Sequence, residues 1–116
     1  MVTKAIRGAT TVESNTPAAI RLGAMELIYE IITRNNITKE NVIFVEFSAT
    51  KDLNAVYPAK FIREEFGWND TAFMCLQEMD VENSLPMCLR VLVVAEMSFE
   101  QIPQFVYIKG AENLRK

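Results

Sequence analysis

The sequence predicts an α+β fold, a mixed five-stranded sheet with two main helices on one face, and three observations lead there. Five separate runs at strand length are rich in β-branched, aromatic and other apolar residues. Only two segments carry apolar residues at helical spacing, too few to wrap a sheet on both sides. The run "VLVVA" from Val91 to Ala95 is apolar at every position, so that strand has no solvated face. Two helices cover one side, and oligomerisation is the simplest way to bury the other.

The elements follow in chain order. A short strand is expected around Thr3 to Arg7, with Gly8 as its breaker. Thr16 then suits a helix N-cap and Pro17 the first helical position, while Ile20, Ala24, Leu27, Ile28, Ile31 and Ile32 recur along one face that belongs in the core. "NNITKEN" punctuates the chain before "VIFVEFSAT", a strand from Val42 to about Ser48. Pro58 opens a second helix in "PAKFIREEFG", which Gly67 is placed to end. Phe73 to Met79, Leu89 to Ala95 and Phe105 to Ile108 complete the strands. No repeat or linker interrupts the pattern, so residues 1–116 are expected to form a single domain.

Composition narrows the chemistry. A net charge of −3 gives no broad basic field, so no nucleic-acid partner is expected. No apolar run approaches the roughly 20 residues of a membrane span, and the first residues lack a signal-peptide core, so a cytoplasmic protein is expected. Cys75 and Cys88 lie in apolar surroundings without metal-ligand spacing and read as free thiols. The chain has no histidine. The usual general base, the histidine-activated nucleophiles and the commonest metal ligand are therefore missing, and neither a metal nor a cofactor is expected.

Three charges break the strand pattern. Arg7 and Glu78 fall near predicted strand ends, where water can reach them. Arg90 is harder to place, because its parity groups it with Leu92 and Val94 in "MCLRVLVVAEM". A guanidinium cannot shed its charge, so it needs a partner: Glu78 or Glu46 from within, or a carboxylate from outside. Two arginines against one glutamate leave a positive surplus that suits a small ligand with more than one carboxylate. Cys75 has no neighbour in sequence that would make it a nucleophile.

Four separated motifs, "IRGATTVE" at Ile6 to Glu13, "SATKDLNAVYPAKFIRE" at Ser48 to Glu64, "CLQEMDV" at Cys75 to Val81 and "CLRV" at Cys88 to Val91, resemble the small trimeric α+β chorismate mutases. The resemblance implies conversion of chorismate to prephenate on the route to phenylalanine and tyrosine. It also implies a homotrimer with a barrel-like core of sheets and active sites between subunits. Matched residue by residue, Arg7 and Arg90 correspond to carboxylate-binding arginines, and Arg90 also to the cation beside the ether oxygen. Glu78 corresponds to the residue that hydrogen-bonds the ring hydroxyl, with Cys75 lining the same wall. Tyr107 corresponds to a tyrosine on a substrate carboxylate. Tyr57, Lys60 and Arg63 correspond to the pocket edge, and Leu114 and Arg115 to residues closing over the substrate. Tyr57 departs from the phenylalanine common there, and the tail "GAENLRK" is more polar than usual.

That reaction suits a histidine-free site. It is an intramolecular pericyclic rearrangement in which an ether C–O bond breaks as a C–C bond forms, with no proton transfer or covalent intermediate. The alternative is a non-catalytic trimeric module that binds a small carboxylate with the same arginines. Glu78 argues against it, since a carboxylate there repels a generic dicarboxylate.

Overall fold

The structure is a computed structural model that describes residues 1–114. Strand β1 (Val2–Thr11) leads to helix α1 (Pro17–Arg34), and β2 (Val42–Ala49) leads to the short helix α2 (Ala59–Glu65). Strands β3 (Ala72–Gln77), β4 (Cys88–Met97) and β5 (Val106–Tyr107) follow. The sheet runs β3-β2-β4-β1-β5. Strand β4 lies antiparallel between β1 and β2, and the outer pairs β2 with β3 and β1 with β5 are parallel. The mixed five-stranded α+β arrangement is the one the sequence predicts.

Local chemistry accounts for α1. The Thr16 hydroxyl accepts from the Ala19 N–H at 3.2 Å, and Pro17 occupies the first turn, where its missing N–H costs nothing. Ile20, Ala24, Leu27, Ile28 and Ile31 are buried against the sheet, and Arg21 grips Glu65 of α2 through two hydrogen bonds of 2.5 and 2.6 Å. At the far end the buried Asn35 donates to the carbonyls of Ile31 and Gln104 and accepts from the Gln104 N–H at 2.7 Å. The segment before β5 is thereby tied to the end of α1.

Several boundaries differ from expectation. Gly8 does not break β1; it lies inside the strand, opposite Val91 and Val106. A Cβ there would meet Ile31 Cδ1 at 2.8 Å and the Val106 carbonyl at 3.2 Å, so glycine is needed for close approach of α1 and β5. Arg7 consequently sits within β1, opposite Leu92, and not at its end. Strand β3 stops at Gln77, leaving Glu78 just beyond it, and β5 keeps only Val106 and Tyr107. The end of α2 falls where expected, with Gly67 at φ +73° after Phe66.

Alternation divides the sheet. Val91, Val93 and Ala95 of β4 are buried beneath the helices with Ile6, Val45 and Phe47. Arg90, Leu92 and Val94 point the other way and are only half-buried. That second face also carries Met74 and Leu76 of β3, exposed at 58% and 47%. Both helices lie on one side, and the opposite face of this single chain is partly apolar and open.

Candidate active site

The charges that broke the strand pattern meet on the open face. The pairing sets Tyr107, Ala9, Arg90, Ser48 and Leu76 in one row across all five strands. Arg7, Leu92, Glu46 and Met74 fill the next row. Glu78 follows the end of β3, its N–H held by the Ala49 carbonyl at 2.8 Å. Arg7, Glu46, Ser48, Glu78 and Arg90 together line a cleft of about 130 Å³.

Arg90 and Glu78 share this cleft without forming an ion pair. Glu78 Oε1 instead accepts a hydrogen bond from the Ser48 hydroxyl. Arg90 Nε is buried with no hydrogen-bond partner among the described residues. Neither Arg7 nor Arg90 has an ion pair among those residues. An unpaired buried N–H on a permanent cation is costly, so this guanidinium is set for an anionic or oxygen-bearing partner. The Cys88 thiol beside it is pushed upward by burial, partly opposed by the Arg90 charge.

Three hydrogen bonds hold the chain just before Arg90. The Asp52 carboxylate accepts from the Thr50 hydroxyl at 2.5 Å and from the Met87 N–H at 2.9 Å. The same Thr50 oxygen accepts from the Cys88 N–H at 3.0 Å. Met87 is thereby held at φ +52° immediately before β4. The Thr50 hydroxyl, then the Met87 N–H, keep the Asp52 carboxyl below its ordinary value against the opposing effect of desolvation. A lowered folded-state value means stability that is present at neutral pH and lost as pH falls through that value. Asp52→Asn is therefore expected to be less stable than the parent at neutral pH, the gap closing well below about pH 4 as the parent carboxyl protonates. Urea unfolding at two pH values checks this.

The remaining expected residues lie elsewhere in the chain. Tyr57, Lys60, Arg63 and Cys75 line a second cleft, of about 320 Å³, between α2 and the edge strand β3. A larger one of about 580 Å³ adjoins it beneath the 50–58 loop and shares Tyr57, Lys60 and Cys75. Cys75 lies opposite Phe47, on the helix side, so within one chain it does not share the wall of Glu78. Burial raises its thiol pKa, with the Ala59 N–H opposing, and leaves it an unreactive lining group. Tyr107 stands on the open face, about 10 Å from Arg90 with the Ala9 strand between them. Its hydroxyl is buried without a partner among the described residues. Leu114 packs with Tyr107 against Ala9, Cys88 and Ala111, whereas Arg115 lies outside the described residues.

Glu46, which the sequence offers only as an internal partner for Arg90, lines the first cleft, so two arginines face two carboxylates there and the expected positive surplus is absent from that cleft alone. Ser48 went unnoticed in the sequence. Its register opposite Arg90 becomes visible only once β2 and β4 are paired.

The sequence profile of the family described as chorismate mutase type I matches residues 3–116. The chain is 42% identical over 116 residues to the chorismate mutase AroH of Bacillus subtilis, covering 99% of this chain and 91% of that protein. It is 34% identical over 114 residues to the chorismate mutase AroH of Thermus thermophilus, covering 97% and 93%. A solved chorismate mutase from Clostridium thermocellum superposes with a TM-score of 0.87 at 37% identity, covering 95% of this chain and 98% of that one.

Proposed function

The chain belongs to the type I chorismate mutase family and is an isomerase, and we propose that its catalytic centre forms where the Arg90 cleft of one subunit meets the Arg63 cleft of another. The reaction is the rearrangement of chorismate to prephenate, feeding phenylalanine and tyrosine synthesis. The observation that carries the reading is the division of the site residues between two clefts of one chain. The cleft with Arg7, Glu78 and Arg90 is about 130 Å³, while pockets that enclose a small molecule run from about 300 Å³ upward. Joined, the two clefts contribute Arg7, Arg90, Lys60 and Arg63 against Glu46 and Glu78, so a dicarboxylate meets four cations and two carboxylates. The contact of Arg63 with Glu64 is long, 3.8 Å, and half exposed, so it competes weakly.

A homotrimer is the assembly in this reading, with the open sheet faces packed together. Leu92 and Val94, and the more exposed Met74 and Leu76, are the apolar surface such packing covers. Tyr57, 74% exposed in the single chain, lies at the rim. Among the described residues no helix is long and apolar enough to cross a membrane, and a cytoplasmic location fits the biosynthetic role.

The chemistry then follows from the side chains. Arginines gripping both carboxylates hold the enolpyruvyl arm over the ring, so binding energy becomes orientation. As C–O cleavage runs ahead of C–C formation, charge collects on the ether oxygen, and Arg90 stabilises it. Glu78 accepts from the ring hydroxyl. Tyr107 contacts a substrate carboxylate, and Leu114, packed beside it, closes over the substrate. An acceleration on the order of 10⁶ needs about 8 kcal/mol, within reach of orientation plus one charge-assisted hydrogen bond.

Incubation with chorismate should abolish its ultraviolet absorbance, with kcat flat from about pH 6 to 9 because no proton moves in the rate-limiting step. Binding without loss of absorbance would favour the carboxylate-binding module. A bell-shaped profile centred near neutrality would contradict the pericyclic route.

A further inference from the structure

We propose that Ser48 is a positioning residue for this reaction: its hydroxyl holds the Glu78 carboxylate apart from Arg90, so that both groups stay available to the substrate. The proposal rests on the site described above and adds the device that keeps it open. Ser48 lies directly opposite Arg90 in the β2–β4 register. Its hydroxyl donates to Glu78 Oε1, and the backbone N–H of Glu78 is fixed by the neighbouring Ala49 carbonyl at 2.8 Å. Glu78 is thus tied at its backbone to one residue of β2 and at its carboxylate to the residue before it.

The need for such a tether follows from the charges. A glutamate and an arginine lining one small cleft gain by closing into a charge-assisted pair. That collapse neutralises the guanidinium meant for the ether oxygen and removes the acceptor meant for the ring hydroxyl. In this chain the two do not pair, and Arg90 Nε remains without a partner among the described residues. Ser48 is well suited to prevent the collapse. Its short side chain is fixed by a strand, its hydroxyl occupies one carboxylate oxygen, and Oε2 is left to meet substrate.

A double-mutant cycle tests this on the intact enzyme. Ser48→Ala is expected to lower kcat by about 10–100-fold, the value of a hydrogen bond to a charged group. Ser48→Thr keeps the hydroxyl on a residue that favours strands and should stay within about threefold of the parent. In a Glu78→Ala background Ser48→Ala should change kcat by less than about twofold, because nothing remains to be held. Equal losses in both backgrounds, or no loss in either, would overturn the role of Ser48 and leave the site reading standing. If Glu78→Ala itself keeps the parent kcat, the site reading fails and the proposal falls with it. A general structural role for Ser48 predicts a lower melting temperature and equal losses in both backgrounds, which also counts against the proposal.

Discussion

Replacing Arg90 with lysine should lower kcat by about 10²–10³-fold, the usual cost of removing one preorganised donor from a developing oxyanion, while leaving the folded protein at least as stable as before. The opposite signs are the informative part. Lysine keeps the charge but loses the planar fork and the N–H at the ε position. In the present chain that N–H is buried without a partner among the described residues. An unsatisfied buried donor costs about 1–3 kcal/mol, and a methylene in its place relieves some of that strain. A residue serving packing or an internal ion pair would behave differently, because its loss lowers stability and activity together. Steady-state kinetics beside urea unfolding, with size-exclusion chromatography to monitor assembly, separates the cases. Near-parent turnover would refute the assignment of Arg90, and a parallel fall in stability would return it to a structural role.

Much of this site is legible in the sequence, for physical reasons that also mark where legibility ends. Arg90 stands out because a permanent cation in an apolar strand has few explanations, and its Nε has no partner among the described residues. The caps of α1 are readable because Thr16 and Pro17 each fit a single orphaned position at a helix start. Gly8 misleads because a glycine that ends a strand and one that admits a close neighbour look alike in sequence; only Ile31 overhead and Val106 alongside distinguish them. Ser48 carries no signal at all, since serine in a strand is ordinary until its partners across the sheet are known. Cys75 and Glu78 are three residues apart yet line different clefts, because β3 ends between them and alternation turns Cys75 toward the helices. Motif resemblance groups residues by shared role. It is silent on which of them one chain can bring together.

Mixing two inactive variants should restore activity if the two clefts are halves of one site. Arg90→Ala disables the cleft on the open face, and Arg63→Ala is expected to disable the cleft between α2 and β3. Alone, each variant assembles into oligomers in which every site is defective. Unfolded together in equal amounts and refolded, they assemble at random, and a site is intact only when each of its two halves comes from the chain that kept it. Each half is intact with even odds, so about a quarter of the sites should work in any closed ring of subunits, trimer included. Recovery to about a quarter of parental kcat per subunit, against the near-zero average of the separate variants, is the expected result. If every site lay within one chain, mixing would return only that average. The reciprocal arrangement sharpens the distinction. With both substitutions in one chain and the unaltered chain mixed in, a shared site again gives about a quarter, whereas a site within one chain gives about half. The two mixtures therefore disagree in opposite directions under the two geometries, and no difference in refolding yield between variants can imitate both.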